Sequence, residues 1–435
     1  MGKVIERSKG LFTAVLLLAL AFAVTAGAKD KVQKGDVVAI LGDTLAIPKG
    51  YSAMIEMYLL VCQQDGPIRA AQFCQGNDCL KYLWARGVQP ILAIHPTVVT
   101  TCYGMEDGYF LPLNTLLPSG HFTIYSNTLK GVIHEFKTNG VRMIVVGSPG
   151  AVKTENFIPR YQYNIVDYNQ TLAVFRDIAC QVAREENCAF ANVHDLMLDV
   201  MGKAKRKYGD AYHVSGADGW RPAENGQLVM AYAFLRAMGC DGDIGKIVID
   251  LAQGSASASG GHRVVACSGG EVKVESSRYP FCFYGRPDDP AATTGIIEFF
   301  PFNEDLNRFM LVVNGLAPSE SVRVTWGATS KIFSAAAAAK GINLAAEYFN
   351  NPFCESFKKI LADVRKKQDW ETPFYIDRLS KLPGLKNDVK DYDPELAESL
   401  DDLVPALVKI HSRMCDALSA SVVPVIHSIK VEVVK

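Results

Sequence analysis

The 435-residue chain has no excess of either charge: Lys and Arg number 45, Asp and Glu 46. That excludes the broad positive field with which proteins grip nucleic acid or an anionic bilayer. There is no C-x-x-C pair and no Cys near a His at zinc-ligand spacing, and His134-Glu135 lacks the second histidine of H-E-x-x-H. Neither a structural zinc nor a metalloprotease zinc is expected, and nothing points to a cofactor. There is no internal repeat and no low-complexity tail, so a solenoid is excluded. Beyond the first 28 residues no apolar run approaches the roughly 20 residues of a membrane span.

The N-terminus does carry such a signal, in short form. Lys3, Arg7 and Lys9 precede an apolar run from Leu11 to Val24, and Ala26-Gly27-Ala28 follows as an A-x-A site. About 14 apolar residues are too few for a bilayer and suit a cleavable signal peptide over 1–28. The expected mature protein starts at Lys29, keeps no stable membrane span and is secreted or periplasmic.

Export changes how the 11 cysteines are read. A chain this long folds without staples, and most of these cysteines fall in apolar runs, as small core residues do. Cys74 with Cys79 and Cys180 with Cys188 are the local disulfide candidates, and an odd count leaves at least one thiol unpaired.

From Asp36 to about Gly239 the pattern alternates strand and helix. Val37–Leu41, Thr97–Tyr103, Val141–Val146 and Phe190–Val193 read as buried strands. Helical spacing runs from Tyr51 to Cys62 and over His121–Thr138, Tyr168–Glu186 and Glu224–Met238, with Gly239 as a C-cap. Alternation of this kind predicts an α/β fold: a doubly wound parallel sheet between helical layers, with ligand sites at the carboxyl ends of the strands. Residues 29–239 form this first domain. Residues 240–334 hold short strands separated by turns, including a Ser/Ala/Gly turn-rich stretch at Gly254–Gly261, and predict a smaller antiparallel β module. Residues 335–435 form a helical segment with charged helices, ending in an alternating strand over Val425–Val434 that is able to return to the module.

Three segments fall where strands should end: Gly42-Asp43-Thr44, Gly104-Met105-Glu106-Asp107, and Asp218-Gly219-Trp220-Arg221-Pro222 before the last helix of the sheet. Their order and wording resemble the SGNH (GDSL) hydrolases, whose blocks read G-D-S, G-x-N-D and D-x-x-H-P. The likeness continues through Gly226 to Leu235 and covers roughly residues 36–239. It implies a flavodoxin-like three-layer fold and hydrolysis of acyl or acetyl esters, often on carbohydrates. It also assigns positions. Thr44 stands where the family has its serine nucleophile, Glu106 where it has the oxyanion-hole asparagine, Asp218 at the aspartate and Arg221 at the histidine. The second oxyanion donor falls on either Gly76 or Asn77.

Acyl transfer by this route needs a hydroxyl, a base to take its proton and donors for the developing oxyanion. Thr44 keeps the hydroxyl. Arg221 stays protonated and is no base. Glu106 puts an acceptor where a donor belongs, and losing one such donor alone costs about 2.7–4 kcal/mol. The expectation is an esterase frame with an impaired or silent centre, in which Arg221 bridges Glu106 and Asp218 and plugs the cleft, or else captures an anionic ligand. His213, five residues before Asp218, is a candidate substitute base. Ser148, next to Pro149, reads as a loop residue; His194 caps or packs; His95, His134, His262, His411 and His427 have no partners at meaningful spacing. Three functions remain open: a non-hydrolysing protein with a small-molecule or glycan ester as ligand, an active hydrolase using Thr44 with a non-standard base, and a non-enzymatic interaction protein. Oligomeric state is not legible.

Overall fold

Short apolar runs become strands of a parallel sheet: β1 (Val37–Gly42), β2 (Arg69–Gln72), β3 (Val98–Cys102), β4 (Met143–Gly147) and β5 (Ala189–Ala191), in the order β2-β1-β3-β4-β5. The computed structural model describes residues 31–46, 50–63, 68–113, 120–157 and 167–434; the segment read as a signal peptide lies outside them. Every residue of β3 and β4 is buried, because helices cover both faces of the sheet. On one face Val38, Ile40 and Val145 meet α1 (Tyr51–Val61) and two helices described below. On the other, Ala39, Leu41, Val99 and Val146 meet α2 (Leu80–Arg86), α3 (His121–Thr138) and α4 (Asn169–Glu185). The first face is completed by α5 (Val193–Tyr208) and α6 (Glu224–Ala237). The winding reverses between β1 and β3, and such a switch point opens a crevice at the carboxyl ends of those strands.

The second half adds β6 (Asp243–Asp250), β7 (Ser255–Ala258), β8 (His262–Ser268), β9 (Glu271–Ser276), β10 (Arg308–Asn314), β11 (Ser321–Trp326), β12 (Thr329–Ser334), β13 (Ile342–Asn343) and β14 (Val425–Val434). They form two sheets, β13-β10-β6-β7 and β12-β11-β14-β9-β8. Two expectations need correction. β6 and β10 pair in parallel, so the module is not wholly antiparallel. The Ser/Ala/Gly stretch contains β7, whose small side chains lie against β6 instead of forming only a turn. The alternating C-terminal strand does return, as β14 between β9 and β11.

A hydrogen-bonded relay runs through the buried space between these two sheets. Trp326 Nε1 donates to His427 Nδ1 at 3.1 Å, His427 Nε2 lies 3.0 Å from Ser276 Oγ, Ser276 Oγ lies 2.8 Å from His262 Nδ1, and His262 Nε2 lies 2.9 Å from the Ile244 carbonyl. One end is a pure donor and the other a pure acceptor. That fixes each proton: His427 carries its hydrogen on Nε2, Ser276 donates to His262, and His262 carries its hydrogen on Nε2. The two histidines judged partnerless are therefore partners of each other, through Ser276. Burial, with His262 nearby, pulls His427 down to about 3.

The charged helices of the last segment also hold a surprise. α7 (Cys354–Thr372) lies on α1 and along the outer edge of β2, and α8 (Pro394–Ser421) packs behind it. Lys367, Gln368 and Glu371 are buried. Lys367 Nζ donates to the Ala70 carbonyl at 2.9 Å, and Glu371 Oε2 accepts the Gln72 amide at 3.0 Å. Two backbone groups of an edge strand are thus satisfied by side chains of a helix. Lys367 also pairs with Glu371 and, at 2.9 Å, with Glu56 of α1. Gln368 donates to Glu56 at 2.8 Å and accepts from Ser52 at 2.8 Å, and His411 of α8 meets Glu371 at 2.6 Å. Burial pulls the Lys367 ammonium down, but Glu371 and Glu56 outweigh it and hold it above its usual range. Burial raises Glu56 to about 7, whereas Lys367 and His411 together keep Glu371 below the usual range despite its burial.

Two expected outcomes follow from these networks. Lys367→Met strands two buried carboxylates and lowers stability by about 3–5 kcal/mol, read as a shift in the urea midpoint. His427 is held neutral when folded and regains its ordinary range near 6.5 when unfolded, so the unfolded chain binds the extra proton below that pH. Its share of stability is complete above about pH 6.5 and falls, by roughly 1.4 kcal/mol per pH unit, toward pH 3. His427→Gln should flatten that part of the urea-midpoint pH profile relative to the parent.

Candidate functional site

Four loops meet at the switch point. The first follows β1. A Cβ on Gly42 would lie 2.5 Å from Tyr51 Oη, so only glycine admits that ring beneath the strand end. Asp43 is buried; its Oδ1 accepts the Leu45 amide at 3.1 Å and its Oδ2 the Met105 amide at 3.2 Å. It pins the first loop to the one after β3. Burial pushes its carboxyl well above the usual range, and the charges of Glu106 and Asp107 add to that. The chain then enters a short 3-10 turn, Thr44–Ala46, that presents the Thr44 side chain.

The second loop follows β2. Asp78 is buried and held by both guanidinium nitrogens of Arg86, at 2.8 and 2.7 Å. Just before it Asn77 adopts a left-handed conformation, φ +54, a region glycine and asparagine tolerate best. That turn aims the Asn77 amide at Thr44 Oγ1, 2.8 Å away. Gly76, the other residue named as a candidate donor, sits beside it in the turn.

The third loop follows β3. Buried Asp107 accepts the amides of Leu80 at 3.0 Å and Gly104 at 2.9 Å, and burial pushes it up to about 7. Half-buried Glu106, one residue earlier, receives the Thr44 hydroxyl: Oγ1 to Oε1 is 2.7 Å. The Thr44 oxygen therefore accepts from Asn77 and donates to a carboxylate.

The fourth loop precedes α6. Gly216, at φ +80, would place a Cβ 1.9 Å from the Arg221 carbonyl. Asp218 Oδ1 accepts the Trp220 and Arg221 amides at 3.2 and 3.0 Å, and its Oδ2 accepts Arg221 Nε at 2.6 Å. The Arg221 guanidinium lies over Trp220, 5.0 Å from the ring centroid, and Trp220 meets Phe110 edge-on at 5.2 Å. The expected bridge is corrected here. Arg221 is paired with Asp218 and half-exposed, while Glu106 takes the Thr44 hydroxyl. A local i,i+3 pair with backbone support needs less ordering than a reach across the cleft.

His213 is not brought to Thr44. Its charged neighbours are Lys153 and Asp210; burial and Lys153 lower its pKa. Ser148 accepts the His194 amide at 2.9 Å and packs, as a loop residue would.

One residue went unnoticed as a residue of this site. Gln227, buried on α6, donates to the Leu45 carbonyl at 2.8 Å and the Pro222 carbonyl at 3.2 Å, and accepts the Tyr51 amide at 2.8 Å. It ties the first loop to the last. The available clue was an amide side chain directly before the apolar run Leu228–Leu235.

No protein-family model matches the chain, and no curated protein matches its sequence. Among solved structures it is similar to a gut microbial diltiazem-metabolizing enzyme, with a TM-score of 0.67 and 18% identity over 93% of this chain and 98% of that one. An acetylxylan esterase from Geobacillus stearothermophilus overlaps 48% of this chain and 96% of its own, with a TM-score of 0.40 and 20% identity. An α/β hydrolase from the metagenome of Lake Arreo, Spain, overlaps 48% and 97%, with a TM-score of 0.39 and 17% identity. The first likeness runs through both halves of the chain and shows a shared fold.

Gln227→Ala removes three buried hydrogen bonds, and the expected loss is about 2–4 kcal/mol of stability. Exchange of the Tyr51 amide should rise with it, measured by hydrogen exchange.

Proposed function

We propose that the chain is an exported protein of SGNH/GDSL esterase lineage whose cleft binds a small-molecule or glycan ester and does not hydrolyse it. The observation that carries this reading is the position of the Thr44 hydroxyl, held between the Asn77 amide and the Glu106 carboxylate. In a working centre that hydroxyl gives its proton to a base while donors surround the ester carbonyl. Here Glu106 turns a negative edge toward the place where negative charge would develop. Arg221 fills the base position with a fixed cation, secured to Asp218. The fold shared over nearly the whole length with a diltiazem-metabolizing enzyme supports a cleft that accepts small molecules. The A-x-A site after a short apolar run supports export.

One observation favours a second reading. A hydroxyl 2.7 Å from a carboxylate is also the geometry of a nucleophile with its general base. In that reading Glu106 takes the Thr44 proton as the oxygen attacks the ester, and Asn77 N–H supports the oxyanion.

Hydrolysis of p-nitrophenyl acetate separates the two. The expected result is no turnover above buffer by the parent chain, and measurable turnover in the combined Thr44→Ser, Glu106→Asn, Arg221→His variant. Turnover by the parent that disappears in both Thr44→Ala and Glu106→Gln overturns the non-hydrolysing proposal in favour of the second reading.

A further inference from the structure

The 11 cysteines are all free thiols in this structure, and the two local pairs suggested by spacing are not the ones the fold brings together around one partner. Cys282 lies between β9 and β10, 72 positions before Cys354 in sequence, yet both sulfurs bond Asn351, Cys282 its side chain and Cys354 its backbone. The Asn351 amide donates to Cys354 Sγ at 3.4 Å, and Cys282 Sγ donates to Asn351 Oδ1 at 3.7 Å. Asn351 is itself fixed, because its side chain bonds the Phe353 amide at 3.0 Å and the Tyr348 carbonyl at 3.0 Å.

Aromatic contacts on either side hold the two segments in register. Tyr279 packs on Phe353 with centroids 5.2 Å apart, Phe281 on Phe357 at 4.9 Å, and Phe283 on Phe349 at 6.1 Å. The cysteines sit within this ladder. They differ in surroundings. Cys282 is buried, whereas Cys354 is partly open to solvent at the first turn of the 19-residue α7.

We propose that Cys354 and Cys282 are a reactive dithiol that exchanges with small-molecule disulfides and closes to an intramolecular disulfide. The Cys354 thiolate attacks one sulfur of R–S–S–R, forming a mixed disulfide and expelling RS⁻, which takes up a proton. Cys282 then loses its proton, attacks the Cys354 sulfur and expels the second RS⁻. Two protein thiols are oxidised and one external disulfide is reduced to two RSH.

The electrostatics run the same way. The neighbouring Cys282 and the Asn351 backbone amide bring Cys354 down to about 7, against burial and the nearby Glu355 charge, while burial pushes Cys282 well up. The exposed member is the nucleophile, and the buried one acts only after it is brought against a mixed disulfide. None of this depends on the reading of the cleft.

The test uses the purified full chain titrated with glutathione disulfide, followed by non-reducing peptide mapping. The expected product is a 282–354 cross-link. In Cys282→Ala the expected product is one glutathione held on Cys354, and alkylation of Cys354 by iodoacetamide at pH 7 should slow by about tenfold as its pKa returns toward 8.5. Cys354→Ser should leave Cys282 unmodified. Excess glutathione disulfide without a 282–354 cross-link in the parent chain overturns the proposal. So does Cys282→Ala with no glutathione on Cys354 and an unchanged alkylation rate.

Discussion

The buried ammonium of Lys367 is the interaction on which the arrangement of the two halves depends. A parallel sheet whose order begins with β2 leaves that strand's outer edge unpaired, and an unpaired edge must be covered or it recruits another strand. Here a helix from the far end of the chain covers it, with Lys367 on the Ala70 carbonyl and Glu371 on the Gln72 amide. The helix brings α8 with it through His411. Charges this deep are costly unless every partner is present. Cation and carboxylates thus set one register for α7 on the sheet, where an apolar seam would allow several.

That register matters at the cleft. β2 leads directly into the loop that carries Asn77, and Asn77 is what meets Thr44. The site is then a sequence of local solutions, each with its own reason. Asp43 and Asp107 are backbone clamps, Gln227 joins the first and last loops, and Arg221 is satisfied by its neighbour Asp218. Glu106 and Arg221 are held by different partners, Thr44 and Asp218.

Much of this was legible in residue order. Strands that end in Gly42, Cys102 and Gly147 announce themselves by β-branched runs meeting glycine or loop residues; the blocks with Thr44 and Glu106 follow the first two of these ends, and the block with Asp218 precedes α6. What escaped has a common physical cause. β2 is four residues with two alanines, too short and plain for a periodicity. β6 and β10 pair across some sixty residues, and no local pattern specifies parallel pairing at that distance. Lys367 and Glu371 look like the solvent face of a charged helix, because the strand they cover, β2, lies about 300 positions away. His262 and His427 looked solitary because Ser276 joins them only once β8, β9 and β14 pair, and Cys282 and Cys354 were passed over for nearer pairs.

The relay between the C-terminal sheets has a property of a different kind. Because Trp326 can only give a hydrogen and the Ile244 carbonyl can only receive one, the chain of bonds between them has a single sense. Each of His427, Ser276 and His262 must both give and receive. Replacing one of them by a residue that only gives or only receives leaves two like groups facing each other at the next link. The four side chains therefore behave as one inherited word: change at any letter is tolerated only with matching change at another. In a set of related sequences, positions 262, 276, 326 and 427 should vary together or not at all.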